Sequence, residues 1–165
     1  MSEPSFFNTE DLDGLTTAIE KLKVSIQQKT DEAETASLQA NDENLSIALQ
    51  SLARLNSALG KRAAMAKHIA RLAGRVVEKL KEQKDARRSE LTLKYSETQA
   101  VNKSEHKAKV EVMALVPEID EAFKVSSLAK LLADEADDLT YRTDSFLKMG
   151  QSRLSLLKGD KQNGR

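Results

Sequence analysis

At 165 residues, with 32% charged and 4% aromatic residues, no Trp, six Gly and two Pro, the chain suits one modest domain of long helices, because strand formers and turn residues are both scarce. It has no Cys, which excludes disulfides, thiolate metal sites and cysteine nucleophiles. Its net charge is zero but unevenly spread: residues 1–60 hold ten acidic and four basic side chains, residues 61–94 four and eleven, and residues 95–165 twelve and eleven. Concentrated positive charge of this kind points to a polyanion site, a charge match between subunits, or both. No run approaches the roughly 20 apolar residues of a membrane span, and Met1 to Glu10 lacks a signal-peptide pattern, so a soluble, intracellular protein is expected.

In chain order, residues 1–8 read as a flexible N-terminus. Phe6 and Phe7 in it are either a plug onto a neighbouring helix or a peptide that docks on a partner. An acidic helical segment, residues 9–42, follows. Thr9 is a candidate N-cap, with Glu10, Asp11 and Asp13 at the positive helix end. Leu12, Leu15, Ile19, Leu22 and Ile26 trace its seam, which ends near Thr35 to Ala40. Asn41-Asp42-Glu43-Asn44 is a turn or a new cap, with Asp42 the cap candidate.

Residues 43–158 form the expected helical core. Leu45, Leu52, Leu59, Ala66, Ala73 and Leu80 recur every seven residues, and Ala48, Leu55, Ile69 and Val76 follow most of them by three. Arg62 is the charged intruder in this seam. Arg54, Lys61, His68 and Arg75 also recur every seven residues, on the opposite face. Gly60 and Gly74 fall on the cationic side; each either breaks the helix or admits a backbone or phosphate at close range. Beyond Leu80 the seam fades. Lys81 to Arg88 is charged all round and projects as free helix or loop, while Leu91, Leu93 and Tyr95 fit an extended segment or a fraying helix end.

Ser96 to Asn102 reads as a connector, and Ser104 as the cap of a short helix reaching about Leu115. Pro117 suits the first residue of a new helix, with Val116 held out of the helical region before it. That last helix, residues 118–158, carries Ile119, Val125, Leu128, Leu132, Leu139, Phe146, Leu147 and Leu157. Gly150 interrupts the stripe, Gly159 ends it, and residues 159–165 form a flexible tail. The expected fold is all-α: long amphipathic helices in a bundle or coiled coil. Seams broader than two positions per heptad need more than one neighbour, so the chain is expected to be homo-oligomeric, with Val125, Leu128, Leu132, Leu139, Phe146 and Leu157 as assembly residues.

No GxxxxGK[ST], HExxH or GxSxG pattern is present. His68 and His106 are far apart and read as solvated surface residues. Asp134-Glu135 and Asp137-Asp138 are a candidate divalent-cation cluster, but contiguous carboxylates on a helix point to different faces and read better as solvated. The expectation is therefore no catalytic residues, no metal and no cofactor. Nucleic-acid binding has the better physical case. Lys61, Lys67, Arg71, Arg75, Lys79, Lys81, Lys84, Arg87, Arg88 and Lys94 cluster within 34 residues, and Tyr95 is the nearby aromatic for base stacking. One stacking residue makes a weak single-strand binder, so useful affinity calls for several subunits on one strand.

Residues 50–158 resemble, in layout, the UvsY-type recombination mediator proteins of T-even-type phages. The resemblance rests on three parts: a basic stretch ending in Arg87-Arg88-Ser89-Glu90-Leu91-Thr92-Leu93-Lys94-Tyr95-Ser96, a segment opening with Lys103-Ser104-Glu105-His106-Lys107, and a long helix containing Phe123-Lys124-Val125-Ser126-Ser127-Leu128 and closing on Ser152-Arg153-Leu154. It implies a non-enzymatic, mostly helical, ring-forming protein of the host-cell cytoplasm. Such a protein binds single-stranded DNA, contacts a recombinase and a single-strand-binding protein, and helps the former replace the latter. The family's Lys-x-Arg-type basic motif does not align cleanly; Arg87, Arg88 and Lys94 are its nearest matches. The alternative is a structural coiled-coil or scaffold protein whose basic stretch pairs with its own acidic N-terminal segment. In a third arrangement that segment shields the basic face of a DNA binder.

Overall fold

The heptad spacing of leucine and alanine is realised as helix throughout. The computed structural model describes residues 12–97 and 100–163, with side chains described as far as 159. The expectations placed on Phe6, Phe7, Thr9, Glu10 and Asp11, and on the end of the tail, lie outside the described residues. The elements are α1 (Leu12–Leu38), α2 (Leu45–Ser96), α3 (Val101–Val112), a 3-10 turn (Met113–Leu115) and α4 (Val116–Asn163). No strand occurs among the described residues. No helix among them is long and apolar enough to cross a membrane.

The chain divides into two compact units. The α1 unit holds residues 18–68 and 129 onwards; the α3 unit holds residues 69–128 with the start of α1. In the α1 unit, Ile19, Leu22 and Ile26 of α1, Leu52, Leu59, Ala63 and Ala66 of α2, and Ala129, Leu132, Ala133 and Ala136 of α4 are buried. Alanine at this level lets helix axes approach toward the short end of the usual 8–10 Å range. Near the loop, larger side chains fill the space: Leu45, Leu49, Leu52 and Leu147 form one cluster, flanked by half-buried Phe146, Leu154 and Leu157. Arg62, the charged intruder, is satisfied there: its Nε donates to Ser25 Oγ (3.1 Å) and its guanidinium also to the Ala58 carbonyl (3.4 Å).

The loop between α1 and α2 is closed by two asparagines rather than by Asp42. The Asn41 side-chain oxygen accepts the N–H groups of Glu43 and Asn44, and the Asn44 side-chain oxygen accepts that of Asn41 (2.8 Å). Asp42 instead pairs with Arg153 of α4 at 2.6 Å. The Asn44 side-chain amide also donates to the Gln39 carbonyl (3.0 Å), a bond a carboxylate cannot supply.

In the α3 unit, Val77 of α2 packs with Ile119 and Ala122 of α4, and with half-buried Leu12, Val76 and Leu80. Ser126 donates to the Ala70 carbonyl (3.2 Å) and lies 4.0 Å from where a Gly74 Cβ would sit, so Gly74 faces α4 and not an open cationic surface. Farther along, Leu91 packs on Ala108 and Val112, with Tyr95 beside them. Leu91 to Tyr95 is therefore helical, held by α3, and the extended alternative is excluded.

Three further expectations are corrected. Ser104 does not cap α3: the helix starts three residues earlier, Ala100 occupies the cap position, and Ser104 is buried with its hydroxyl on the Val101 carbonyl. Val116 is helical (φ −64°, ψ −44°), because the 3-10 turn carries its N–H onto the Met113 carbonyl and feeds straight into α4. Pro117 is then the second residue of α4, where its missing N–H has no helical partner to lose. Finally, Gly60, Gly150 and Gly159 do not interrupt or end their helices.

Gly60 and Gly150 of the α1 unit differ in what surrounds them. A Cβ at position 60 would meet nothing within 4 Å, whereas one at position 150 would overlap Leu49 Cδ2 and lie 3.3 Å from its Cγ. Gly60→Ala is expected to stabilise by about 0.5–1 kcal/mol through helix propensity alone. Gly150→Ala is expected to destabilise by about 1 kcal/mol, since overpacking outweighs the same propensity gain. Urea unfolding of the two variants checks the opposite signs. Asn56 Oδ1 is buried without a hydrogen-bond partner among the described residues. Asn56→Leu should therefore raise stability by about 1 kcal/mol in the same assay.

Candidate nucleic-acid interface

Past Leu80, α2 exposes nearly all of its side chains until Leu91. Residues 81–90 are all exposed except Lys84, which is half-buried. Arg71, Arg75 and Lys79 precede this segment and are exposed. At about 100° per residue the three share one face, whereas Lys84 and Arg88 come round to the opposite side. The cations of the α3 unit thus wind around the helix rather than forming a single stripe. Arg71, Arg75, Lys79, Lys81, Lys84, Arg88 and Lys94 form no ion pair among the described residues. Arg87 does, with Glu90 at 2.8 Å; the hydrogen bond and charge of that carboxylate push the Arg87 pKa further up. Arg88 borders an open groove of about 550 Å³ that also has Asp85 and Glu105 in its walls, so its positive potential is partly offset.

Tyr95 is engaged in holding the α2–α3 hairpin together. Its hydroxyl donates to the Glu111 carboxylate, and the Lys107 ammonium lies 4.3 Å from its ring centroid. A ring that holds an ammonium over one face and packs on Leu91, Ala108 and Val112 is poorly placed to stack on a base. Lys107 itself, with Lys103 and Lys109, adds exposed positive charge on α3.

In the α1 unit, Lys61 is exposed on α2, while Lys67 pairs with Asp137 of α4 at 2.5 Å. That pair removes Lys67 from the set of uncommitted cations. Asp137 is engaged by it, and Asp138 by Arg142 at 2.7 Å, which explains this part of the acidic run. His68 and His106 are exposed.

The residues expected to drive assembly are largely occupied within the chain. Val125 and Leu132 are buried, Leu139, Phe146 and Leu157 are half-buried, and Leu128 alone of the six is exposed. The open apolar side chains of α4 are others: Phe123, Leu131, Tyr141, Met149 and Leu156, each at least 60% exposed. They repeat at helical spacing as well as the buried set does, so periodicity finds both stripes but does not say which one faces inward.

Together these features define an all-helical protein with a cationic, solvent-exposed helix segment. No family model, no curated protein and no solved structure matches the chain.

The Tyr95 hydroxyl supplies a test of the hairpin. Its pKa is raised, first by the hydrogen bond to Glu111, then by burial and by the carboxylate's charge. A raised value means the contact is complete below the ordinary tyrosine value of about 10 and is lost as pH rises through the higher one. Amide exchange in α3 should therefore quicken at strongly alkaline pH relative to α1, beyond the intrinsic base-catalysed rate. Tyr95→Phe should show the faster relative exchange already at neutral pH.

Proposed function

We propose that this protein is a non-enzymatic, homo-oligomeric accessory protein that binds single-stranded DNA through the Arg71–Lys94 segment of α2. The observation that carries this is a run of largely exposed cations, all but Arg87 without an ion pair among the described residues, on a helix whose stretch from Lys81 to Glu90 buries no core side chain. Winding of the cations around the helix favours a flexible single strand, which can follow them, over a stiff duplex, whose persistence length is about 150 base pairs. Lys61 extends the same charge on α2. Lys67 and Tyr95, engaged by Asp137 and by Glu111 with Lys107, have supporting structural roles. The sequence layout of residues 50–158 adds the biological role: a recombination mediator that helps load a phage recombinase onto strands covered by single-strand-binding protein.

Fluorescence anisotropy with a labelled oligonucleotide tests the site. Affinity should fall steeply with salt. The Arg71→Ala, Arg75→Ala, Lys79→Ala triple variant should bind more weakly, with the slope of log K against log salt reduced by roughly 2, as three lost phosphate contacts on a single strand require. Unchanged affinity and slope in that variant would remove the site, and equal affinity for a duplex of the same length would remove the single-strand preference.

A further inference from the structure

With Tyr95 held by Glu111 and Lys107, a strand lying on α2 needs another surface for its bases. The groove beside Arg88 offers one. It opens over about 550 Å³ and is lined by Asp85, Arg88, Ser89, Thr92 and Leu93 of α2 and by Glu105 of α3. All six residues belong to the α3 unit. Leu93 is 71% exposed in it, although Leu91, two residues earlier, is buried. A flat ring laid on Leu93 removes apolar surface of both partners from water.

The polar atoms of the groove are one-sided. The Ser89 hydroxyl donates to the Asp85 backbone carbonyl (3.1 Å), and the Thr92 hydroxyl donates to the Arg88 carbonyl (2.9 Å). With their protons committed, both hydroxyl oxygens are left as acceptors. The carboxylates of Asp85 and Glu105 are acceptors too, and neither forms an ion pair among the described residues. Arg88 is the donor in the walls. Such a groove suits a ligand that brings one phosphate for Arg88 and N–H groups for the rest. Nucleobases differ in that respect. Cytosine and adenine carry an amino group on the edge where thymine presents an oxygen, and Asp or Glu accepts from the cytosine amino group.

We propose that this groove receives one base of a bound single strand and prefers an amino-bearing base to thymine. Arg88 holds the adjoining phosphate, Leu93 packs on the ring, and Asp85 and Glu105 accept from the exocyclic amino group. The proposal rests on the reading that α2 binds single-stranded DNA and adds a base preference to it. It also gives a use to two carboxylates that only weaken a site directed at phosphates alone.

Cytosine and thymine strands isolate the effect, because their rings are the same size and differ at the edge. Fluorescence anisotropy of the full chain uses labelled dC and dT strands of equal length, at mildly alkaline pH where cytosine is unprotonated. The dC strand should bind roughly three- to tenfold more tightly, as one added hydrogen bond allows. The two slopes of log K against log salt should agree, since the phosphates are the same. The Asp85→Asn, Glu105→Gln double variant should bring the two affinities together, because an amide can serve either edge. Leu93→Ser should weaken both strands. Asp85, Leu93 and Glu105 are exposed, so these variants should keep the helical circular dichroism. Equal affinity for the two strands, or tighter binding of dT, overturns the base site while leaving strand binding by the cations standing. A dC preference that survives the double variant overturns the two carboxylates as its source. Failure of both strands to bind overturns the reading of the α2 segment itself, and the base site with it.

Discussion

The alanines of α2 set the terms for this molecule. Ala63, Ala66, Ala70 and Ala73 are buried in succession, so the helix can be packed closely but buries little area per residue. At about 25 cal/mol per Å² of apolar surface, a seam of methyl groups must run long to hold. Length is what the chain supplies, with α2 and α4 each contributing to both units. Long helices then present long outer faces, and these need not be alike. On α2 the outer face is cationic; on α4 exposed apolar side chains alternate with Asp134, Asp138 and Ser152.

Much of the fold is legible in the sequence because helices advertise their buried face by period. Leu15, Ile19, Leu22 and Ile26, and then Leu45, Leu52, Leu59, Ala66 and Ala73, are expected from spacing and are all buried. The glycines are not legible, because what matters is the neighbour. Gly150 lies against Leu49, a residue 101 positions away, whereas Gly60 lies against nothing. A glycine in a helix costs about 1 kcal/mol relative to Ala wherever it sits, and local propensity cannot register the contact that makes it necessary. Asn41 and Asp42 present the same difficulty: both are good cap residues, and only the reciprocal amide turn decides between them.

The candidate site is legible as charge and obscure as geometry. Composition locates the basic stretch, since 11 of its 34 residues are Lys or Arg. It does not show that Lys67 is taken by Asp137, that Arg87 is taken by Glu90, or that Tyr95 is clamped between Glu111 and Lys107. Those partners sit three to 70 residues away. The apolar residues of α4 have the complementary problem. Both Leu132 and Leu131 suit a seam, and the buried one is chosen by where α1 and α2 lie, which is a tertiary decision.

The exposed decapeptide from Lys81 to Glu90 has a thermodynamic consequence. It is helical although no core face supports it, and its four cations are interleaved with Glu82, Asp85 and Glu90. Its helicity is held from its two ends, by the Val77–Ile119 cluster before it and the Leu91–Val112 cluster after it. Loosening either cluster therefore unwinds the decapeptide before the rest of α2, so the most exposed part of the helix is governed by packing at its edges and not by its own side chains.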